Sequence, residues 1–326
     1  MNKSLTILVC THDRAALLVK ALDSLERARR PRALDVEVLV VANACRDTTP
    51  QLLDARVRSV QARAGLPLRW ISEPQPGKSY ALNRGIAALQ SRWVAMVDDD
   101  HRVADDFLVE IERGIADHPE AGMLCGRILP DWDGSEPAWV HDEGAYRIYP
   151  LPIPRQDFGT VSRSLDSEGP IPGGGNQIIR TDLLHQLGPF STDLGPKGHD
   201  LGGGEDTEYM LRALRFGARL QYVPAIVQHH HVDPDRLRLS YLVRKAYQRS
   251  AAAVAMSSPV PASHGTPRYL YRKLLTYAVA VSTAWSGRRR RFYLMRCAAA
   301  LGEIAGHGRL RQRQNLGPTV RPADHA

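Results

Sequence analysis

The sequence predicts an α/β protein: a mostly parallel sheet flanked by helices, followed by a helical C-terminal extension. Three observations carry this. Short apolar runs of strand length alternate with helical patterns through the first hundred residues, which implies parallel pairing with right-handed crossovers. A polar cluster stands just after each of those runs, where α/β sheets bind their ligands. Charge then divides the chain. From Arg236 onward there are 17 Lys and Arg against two acids, whereas residues 1–235 carry 26 basic and 33 acidic residues.

Taken in order, Leu5–Cys10 (LTILVC) reads as a strand, and Leu17, Leu18, Ala21, Leu22 and Leu25 recur at helical spacing up to Pro31. Val36–Val41 is a second strand, with Asn43 just beyond it and a helix starting near Thr48. Leu68–Ile71 is a third strand, Lys78–Leu89 a helix, and Trp93–Val97 a fourth strand that ends in Asp98-Asp99-Asp100. Seven prolines between Pro130 and Pro172 break regular structure, so this stretch reads as a long irregular excursion, and such loops are usually functional. The turn GGGN (173–176), a short helix at 181–187 and a glycine-rich turn opening a helix at 205–216 follow. A strand at 222–227 then leads into His229-His230-His231, and from Arg238 the pattern is helical and basic, with a polar end after about residue 307.

Composition narrows the classes. Of 326 residues, 43% are hydrophobic and 24% charged, which excludes wholesale disorder. Aromatics at 6% do not favour a nucleic-acid reader built on stacking. Four cysteines without a CxxC spacing make neither a disulfide framework nor a zinc site and fit a reducing compartment. The apolar run in MNKSLTILVC is too short for a signal peptide, and Leu274–Trp285 falls short of the roughly 20 residues that span a bilayer. A soluble or peripheral protein is expected.

Several clusters could carry chemistry. Consecutive acids on a short turn suit Mg²⁺ or Mn²⁺ holding a diphosphate, although an acidic loop after a strand can also be merely solvated. Strand alternation would put Asp98 and Asp100 on one side and Asp99 on the other. Glu205-Asp206 opens a helix after three glycines, where acids also simply complement the helix dipole. Three adjacent histidines cannot all face one ion from a strand, so at most one or two of His229–His231 turn inward. Lys78, in PGKSYALN, could hold a phosphate at a helix N-terminus or lie at the surface.

Together these segments resemble the family 2 glycosyltransferases, inverting enzymes with the GT-A fold. The matching pieces are ILVCTHDR (7–14), EVLVVANACRDTT (37–49), EPQPGKSYALNRGI (73–86), VDDDHRV (97–103), GGGNQIIR (173–180), GGGEDTEYMLRALRFG (202–217) and YVPAIVQHHH (222–231). They keep the family's order over about three quarters of the chain. The resemblance implies a catalytic domain over 1–240, with a nucleotide-sugar-binding half at 1–102 and an acceptor half at 103–240, and a basic extension at 241–326. It implies that Thr11, Asp13 and Asn43 line the donor pocket with Lys78, Asn83 and Asp98. Asp98 and Asp100, with His230, would hold Mn²⁺ or Mg²⁺; which two of the three aspartates touch the metal stays open. Asp206 would be the general base, with Glu205 beside it at the acceptor. Ala42-Asn43 stands where the family commonly has Asp-Asn, and the missing carboxylate is one that often recognises uracil, which counts against a UDP donor.

The implied partners are a nucleotide-sugar and a glycan or lipid-linked acceptor in bacterial envelope or exopolysaccharide synthesis. A nucleotidyltransferase would need a basic glycine-rich triphosphate loop after the first strand, and THDRAALL is not one. A nucleic-acid-binding protein would rest on the basic extension alone. In that extension Arg244, Lys245, Arg249, Arg272, Lys273 and Arg288–Arg291 alternate with Leu274, Leu275, Tyr277, Val281 and Trp285, a pattern suited to an anionic bilayer surface. The expected location is cytoplasmic, or peripheral on the inner face of the plasma membrane. The competing expectation is that the apolar face packs on the catalytic domain.

Overall fold

A computed structural model describes residues 4–194, 204–256 and 266–315. Gly202 and Gly203 of the glycine-rich turn, and the polar end beyond residue 315, lie outside the described residues. The chain forms two compact units, one from Met1–Asp131 with Pro154–His231, the other from Trp132–Ile153 with Val232–Ala326.

The first unit runs β1 (Ser4–Thr11), α1 (Ala15–Arg27), β2 (Asp35–Asn43), α2 (Thr49–Ala62), β3 (Leu68–Glu73), α3 (Lys78–Ala87), β4 (Trp93–Met96), β5 (His101–Val103), α4 (Phe107–Asp117), β6 (Met123–Asp131), β7 (Arg163–Leu165), β8 (Gln177–Arg180), α5 (Thr181–Leu187), α6 (Glu205–Arg215) and β9 (Leu220–His231). These strands join one sheet in the order β3-β2-β1-β4-β8-β6-β9-β5, with β7 also paired to β9. Pairing is parallel from β3 to β4, where each strand is followed by a helical crossover. It becomes mixed beyond β4. There β8 arrives after the proline-rich excursion rather than a crossover helix, and runs antiparallel to both β4 and β6. Parallel pairing returns between β6 and β9, while β5 and β7 run antiparallel to β9.

Both sheet faces are buried, which is why β1 and β2 read as unbroken apolar runs. Alternation splits them between two cores. Leu5, Ile7, Val9, Val38 and Val40 pack with Leu18, Leu22 and Leu25 of α1 and Phe107, Leu108 and Ile111 of α4. Leu8, Leu39, Val41, Val94 and Met96 pack with Ala81 and Leu82 of α3, Leu183 and Leu184 of α5 and Tyr209 and Met210 of α6. Each fully buried Leu or Ile contributes about 1.5–3 kcal/mol relative to an exposed one. Placing both cores tightly against the sheet leaves the strand ends as the place for polar groups.

The second unit is built on α7 (Leu239–Met256), α8 (Arg268–Ser282) and α9 (Gly287–Asn315). Helices α7 and α9 cross at a small-residue seam. A Cβ at Gly302 would lie 2.2 Å from the Tyr247 carbonyl oxygen, and one at Gly306 would lie 2.8 Å from that of Ala251. Lys273 of α8 reaches Glu303 of α9 at 2.8 Å. A satellite core of Ile153, Val232 and Leu237 gathers Trp132, Trp139, Val140 and Leu151. Among the described residues no helix is long and apolar enough to cross a membrane.

Candidate active site

A cleft of about 360 Å³ opens at the carboxyl ends of β1, β2 and β4, lined by Thr11, Asp13, Asn43, Lys78, the three aspartates and His230, among others. Two cross-links shape its entrance. Asp13, held at φ 51°, accepts the backbone N–H groups of Arg46 and Asp47 at 2.6 and 3.1 Å, and these bonds pull its carboxyl below the usual range. Asn43 donates to the carbonyls of Glu73 and Gln75 and accepts the Gly77 N–H at 2.8 Å, tying the end of β2 to the N-terminus of α3.

The three aspartates leave β4 in a turn. Asp98 lies 3.4 Å from the Lys78 ammonium. Burial works against its ionisation, yet Lys78 holds its carboxyl down at about 2. Asp99 turns inward, 5% exposed, and accepts from the Thr11 hydroxyl at 2.7 Å and from Arg14 at 3.1 Å. Burial pushes its carboxyl up to about 6, against the pull of Arg14. Asp100 faces the His230 Nε2 at 3.7 Å and the His101 Nε2 at 3.8 Å, and also accepts from Arg14.

Lys78 is the hub of the acids. Besides Asp98, it lies 3.4 Å from Asp206 Oδ2 and 3.8 Å from Glu205 Oε1. Burial disfavours its charge, but the three carboxylates hold its pKa well above the ordinary lysine value. Glu205, nearly fully buried, has its carboxyl raised by that burial and by Asp206. The second Asp206 oxygen, Oδ1, is buried without a hydrogen-bond partner. Such an orphaned acceptor is costly and calls for an explanation.

The glycines at 174 and 175 make room for these side chains. A Cβ at Gly174 would lie 2.2 Å from an Asp206 carboxylate oxygen, and one at Gly175 would lie 2.4 Å from the His101 ring and 2.8 Å from Asp98. Only glycine lets this backbone pass beneath the acids.

Two functional residues escaped sequence reasoning. Antiparallel pairing of β5 with β9 sets His101 opposite His230, their ring centroids 5.0 Å apart. Behind His101 lies Gln228, fully buried. The Asn176 amide nitrogen donates to the Arg127 and Ile226 carbonyls, so its oxygen accepts from Gln228 Nε2. The Gln228 oxygen must therefore accept from His101 Nδ1, at 2.6 Å, which leaves Nε2 of a neutral His101 bare and aimed at Asp98 and Asp100. His230 follows the same logic. Its Nδ1 faces the His231 carbonyl at 2.5 Å, and burial lowers its pKa, so a neutral ring presents Nε2 to Asp100. Asp100, His101 and His230 thus bring three donor atoms within 4.8 Å of one another, a set that fits a divalent cation. The doublet of acid and histidine at 100–101 was the available signal; the strand register that makes it meaningful was not visible.

Of the residues expected at the site, the structure gathers Thr11, Asp13, Asn43, Lys78, Asp98, Asp100, Glu205, Asp206 and His230. Asn83 is a correction: it does not line the cleft. Its carboxamide donates to the Phe190 carbonyl at 3.0 Å and accepts the Phe190 N–H at 2.8 Å, latching the segment after α5. Five residues along α3 from Lys78, it is rotated well away from the lysine's face. His229 and His231 stay half-buried beside the inward His230.

Known proteins resemble this chain in sequence and in fold. The family model described as glycosyl transferase family 2 matches residues 6–188, more than half of the chain. A glucosyl-dolichyl phosphate glucuronosyltransferase of Haloferax volcanii is 22% identical over 205 residues, 62% of this chain and 63% of that protein. The succinoglycan biosynthesis protein ExoM of Rhizobium meliloti is 23% identical over 243 residues, 74% of this chain and 71% of its own. Among solved structures, S. aureus TarS superposes with a TM-score of 0.54 at 14% identity, over 94% of this chain and 55% of TarS. The mannosyltransferase PcManGT of Pyrobaculum calidifontis, in complex with GDP-Man and Mn²⁺, gives 0.53 at 18% identity over 96% and 87%. The chain therefore spans just under two thirds of the Haloferax protein and about half of TarS. With the sheet order, the strand-end cleft and the matched residues in agreement, this chain belongs to glycosyl transferase family 2 and carries the GT-A fold.

Proposed function

We propose that this protein transfers a sugar, with inversion, from a nucleotide-sugar to an acceptor hydroxyl in glycan synthesis. The observation that carries the reading is the convergence of Asp98, Asp100, Lys78, Glu205, Asp206 and His230 at one strand-end cleft in a family 2 chain. Asp206 is the general base. Its Oδ2 is held by Lys78, while its orphaned Oδ1 is the oxygen that takes the acceptor proton as the acceptor oxygen attacks the anomeric carbon. Glu205 borders the same acceptor position. Thr11, Asp13 and Asn43 shape the pocket for the nucleoside, and the missing acid at Ala42 disfavours a uracil base.

Asp100 and His230, with His101 and with Asp98 alongside, would hold the cation, which would supply positive charge to stabilise the departing diphosphate. Two imidazole nitrogens favour Mn²⁺ over Mg²⁺, whose shell is built of oxygen. PcManGT was crystallised with Mn²⁺ and GDP-Man, in line with the choice of metal, while TarS was crystallised with UDP-GlcNAc, so the case against uracil rests on Ala42 alone.

The helical unit suggests where the acceptor is met. Along α8, Tyr271, Leu275 and Val279 are exposed at four-residue spacing, with Arg268 and Arg272 beside them, and Trp285 beyond the helix is 82% exposed. An apolar stripe flanked by arginine suits the headgroup region of an anionic bilayer. The names of the Haloferax and Rhizobium relatives point to lipid-linked and exopolysaccharide glycans.

The test is a panel of nucleotide-sugars read by thermal shift and by release of nucleoside diphosphate, with and without Mn²⁺. Asp206→Asn should cut turnover by about 10²–10⁴-fold with donor affinity nearly unchanged, and Asp100→Ala should abolish the Mn²⁺-dependent part of the shift. Turnover of Asp206→Asn within a few-fold of the parent would assign the base elsewhere. For the membrane, the full chain should sediment with anionic vesicles at low salt and be released by high salt, and a chain ending at residue 257 should not. Equal sedimentation of both would remove the helical unit from that role.

A further inference from the structure

A chain of buried polar side chains runs through the sheet and ends at the acids of the cleft. Asn176, just before β8, Gln228 of β9 and His101 of β5 are each at most 3% exposed. Neither amide lines the cleft. Each link has one direction. Asn176 Nδ2 donates to the Arg127 carbonyl at 2.8 Å and to that of Ile226 at 3.1 Å, so its oxygen is left to accept from Gln228 Nε2 at 3.2 Å. Gln228 Nε2 also donates to the Met96 carbonyl at 3.0 Å. Both amide hydrogens of Gln228 are then spent, and its oxygen takes the His101 Nδ1 proton at 2.6 Å. Flipping either amide would set like atoms together in a dry interior, at a cost of about 1–3 kcal/mol for each group left unpaired.

The backbone is shaped around this chain. Strands β6 and β9 pair out of step between Cys125 and Arg127, a bulge centred on Gly126. A Cβ on Gly126 would collide with the Ile226 carbonyl and the Asn176 amide, and one on Gly175 with the His101 ring. At the far end, the Nδ1 proton of His101 is committed whatever the charge of the ring. The nitrogen that can be bare is Nε2, which faces Asp98 Oδ2 at 3.9 Å and Asp100 Oδ1 at 3.8 Å. A buried acceptor on one imidazole nitrogen fixes the tautomer and aims the other nitrogen at a metal. Here that acceptor is a neutral amide, so it orients the ring without adding charge to a site already rich in carboxylates.

We propose that Gln228, locked by Asn176, is the positioning residue that makes His101 a nitrogen ligand of the cation, and so sets the preference of the cleft for a transition-metal ion over Mg²⁺. Without the lock the ring is free to carry its proton on Nε2 and to turn away. The site then keeps Asp98, Asp100 and His230, a set richer in oxygen that discriminates less against Mg²⁺. The inference rests on the cleft holding a divalent cation. It adds two uncharged residues that act on that cation only through His101.

The experiment uses the full chain with Mn²⁺, first alone and then with GDP and with UDP, and counts the nitrogens bound to the ion by pulsed electron paramagnetic resonance. The parent should show two imidazole nitrogens and His101→Ala one. Gln228→Met, similar in volume but without an acceptor, should also show one, with Mn²⁺ affinity lowered at least about tenfold and Mg²⁺ affinity changed far less. In a chain that already carries His101→Ala, adding Gln228→Met should alter Mn²⁺ affinity by no more than about twofold, because no ring remains to be oriented. A further loss in that background would mean that Gln228 acts through packing, and would overturn the proposal. Two nitrogens retained in Gln228→Met would overturn it as well. The parent also answers without any variant: ¹⁵N spectra of its histidine rings should show His101 protonated at Nδ1, and a ring protonated at Nε2 alone overturns the lock. A single imidazole nitrogen in the parent removes His101 from the ligands and leaves the cation with Asp100 and His230. No Mn²⁺ binding under any of these conditions overturns the cation site and this inference with it, while sugar transfer is still judged by nucleoside diphosphate release.

Discussion

Two charged regions of this molecule are built in opposite ways. In the cleft of the sheet unit, Lys78 stands within 4 Å of three carboxylates, and Asp99 and Asp100 share Arg14. Each charge there is oriented by another, and the backbone beneath them is glycine so that nothing displaces them. In the helical unit, Lys245, Arg249 and Arg296 line an apolar cavity with, among the described residues, no acid beside them. The first arrangement is preorganised: its groups are held in place before any ligand arrives, as transition-state stabilisation requires. The second leaves its cations solvated rather than held by neighbouring charges.

Four measurements break or sharpen that contrast. The largest effect is expected at Gly174→Ala, where the added methyl would sit 2.2 Å from the Asp206 carboxylate. Displacing the base by an ångström should lower kcat on the order of 10²-fold with the circular dichroism spectrum preserved. A near-normal kcat would show that the cleft yields more than interlocking implies. Next comes Lys78→Met, which leaves three carboxylates facing one another. A loss of about 3 kcal/mol in urea unfolding is expected, partly restored by Mn²⁺. No loss, or no recovery with Mn²⁺, would separate the lysine from the acid cluster.

Asp157 tests a paired charge away from the cleft. Burial works against its ionisation, but hydrogen bonds from Arg155 and Arg127 outweigh it and depress the carboxyl pKa. A depressed pKa contributes stability above the unfolded value near 3.9 that is lost as pH falls through the folded value. Asp157→Asn should therefore cost about 1 kcal/mol at pH 7, and its deficit should shrink as pH drops below about 4. A deficit that does not vary with pH would trace the cost to packing instead. The smallest effect is expected at Lys245→Met, within about 0.5 kcal/mol in unfolding, because no carboxylate loses a partner. A loss comparable to that of Lys78→Met would erase the distinction between the two regions.

Much of the first unit was legible because its signals are local. Runs of four to six residues located β1, β2, β3 and β4 within two residues of their observed ends, and the 181–187 helix matches α5. The segment from 101 to 131 was not resolved into β5, α4 and β6, although Phe107, Leu108 and Ile111 carry a helical apolar spacing. The acid and histidine clusters stood out as clusters, but not the direction of each side chain. Asp98, Asp99 and Asp100 were expected to alternate as in a strand. They follow β4 in a turn that keeps Asp98 and Asp100 together against His101 and turns Asp99 inward to Thr11, while the further partners, Lys78 for Asp98 and His230 for Asp100, differ. The family resemblance placed Asn83 beside Lys78 at the pocket, but five residues of helix rotate it away from the lysine's face, and it bonds Phe190.

By itself, then, the sequence determined the alternating α/β elements, the family, and the residue types gathered at the strand ends, since periodicity and motif order are properties of neighbours along the chain. Only the tertiary structure decided which of those residues meet. The pairing of β5 with β9 makes His101 a companion of His230, and the buried amides of Gln228 and Asn176 set its tautomer. Folding of residues 132–153 with the helices, rather than with the sheet, assembles the wall of the basic cavity. Each depends on hydrogen bonds or packing between residues dozens to more than a hundred positions apart, and no local pattern encodes a contact at that range.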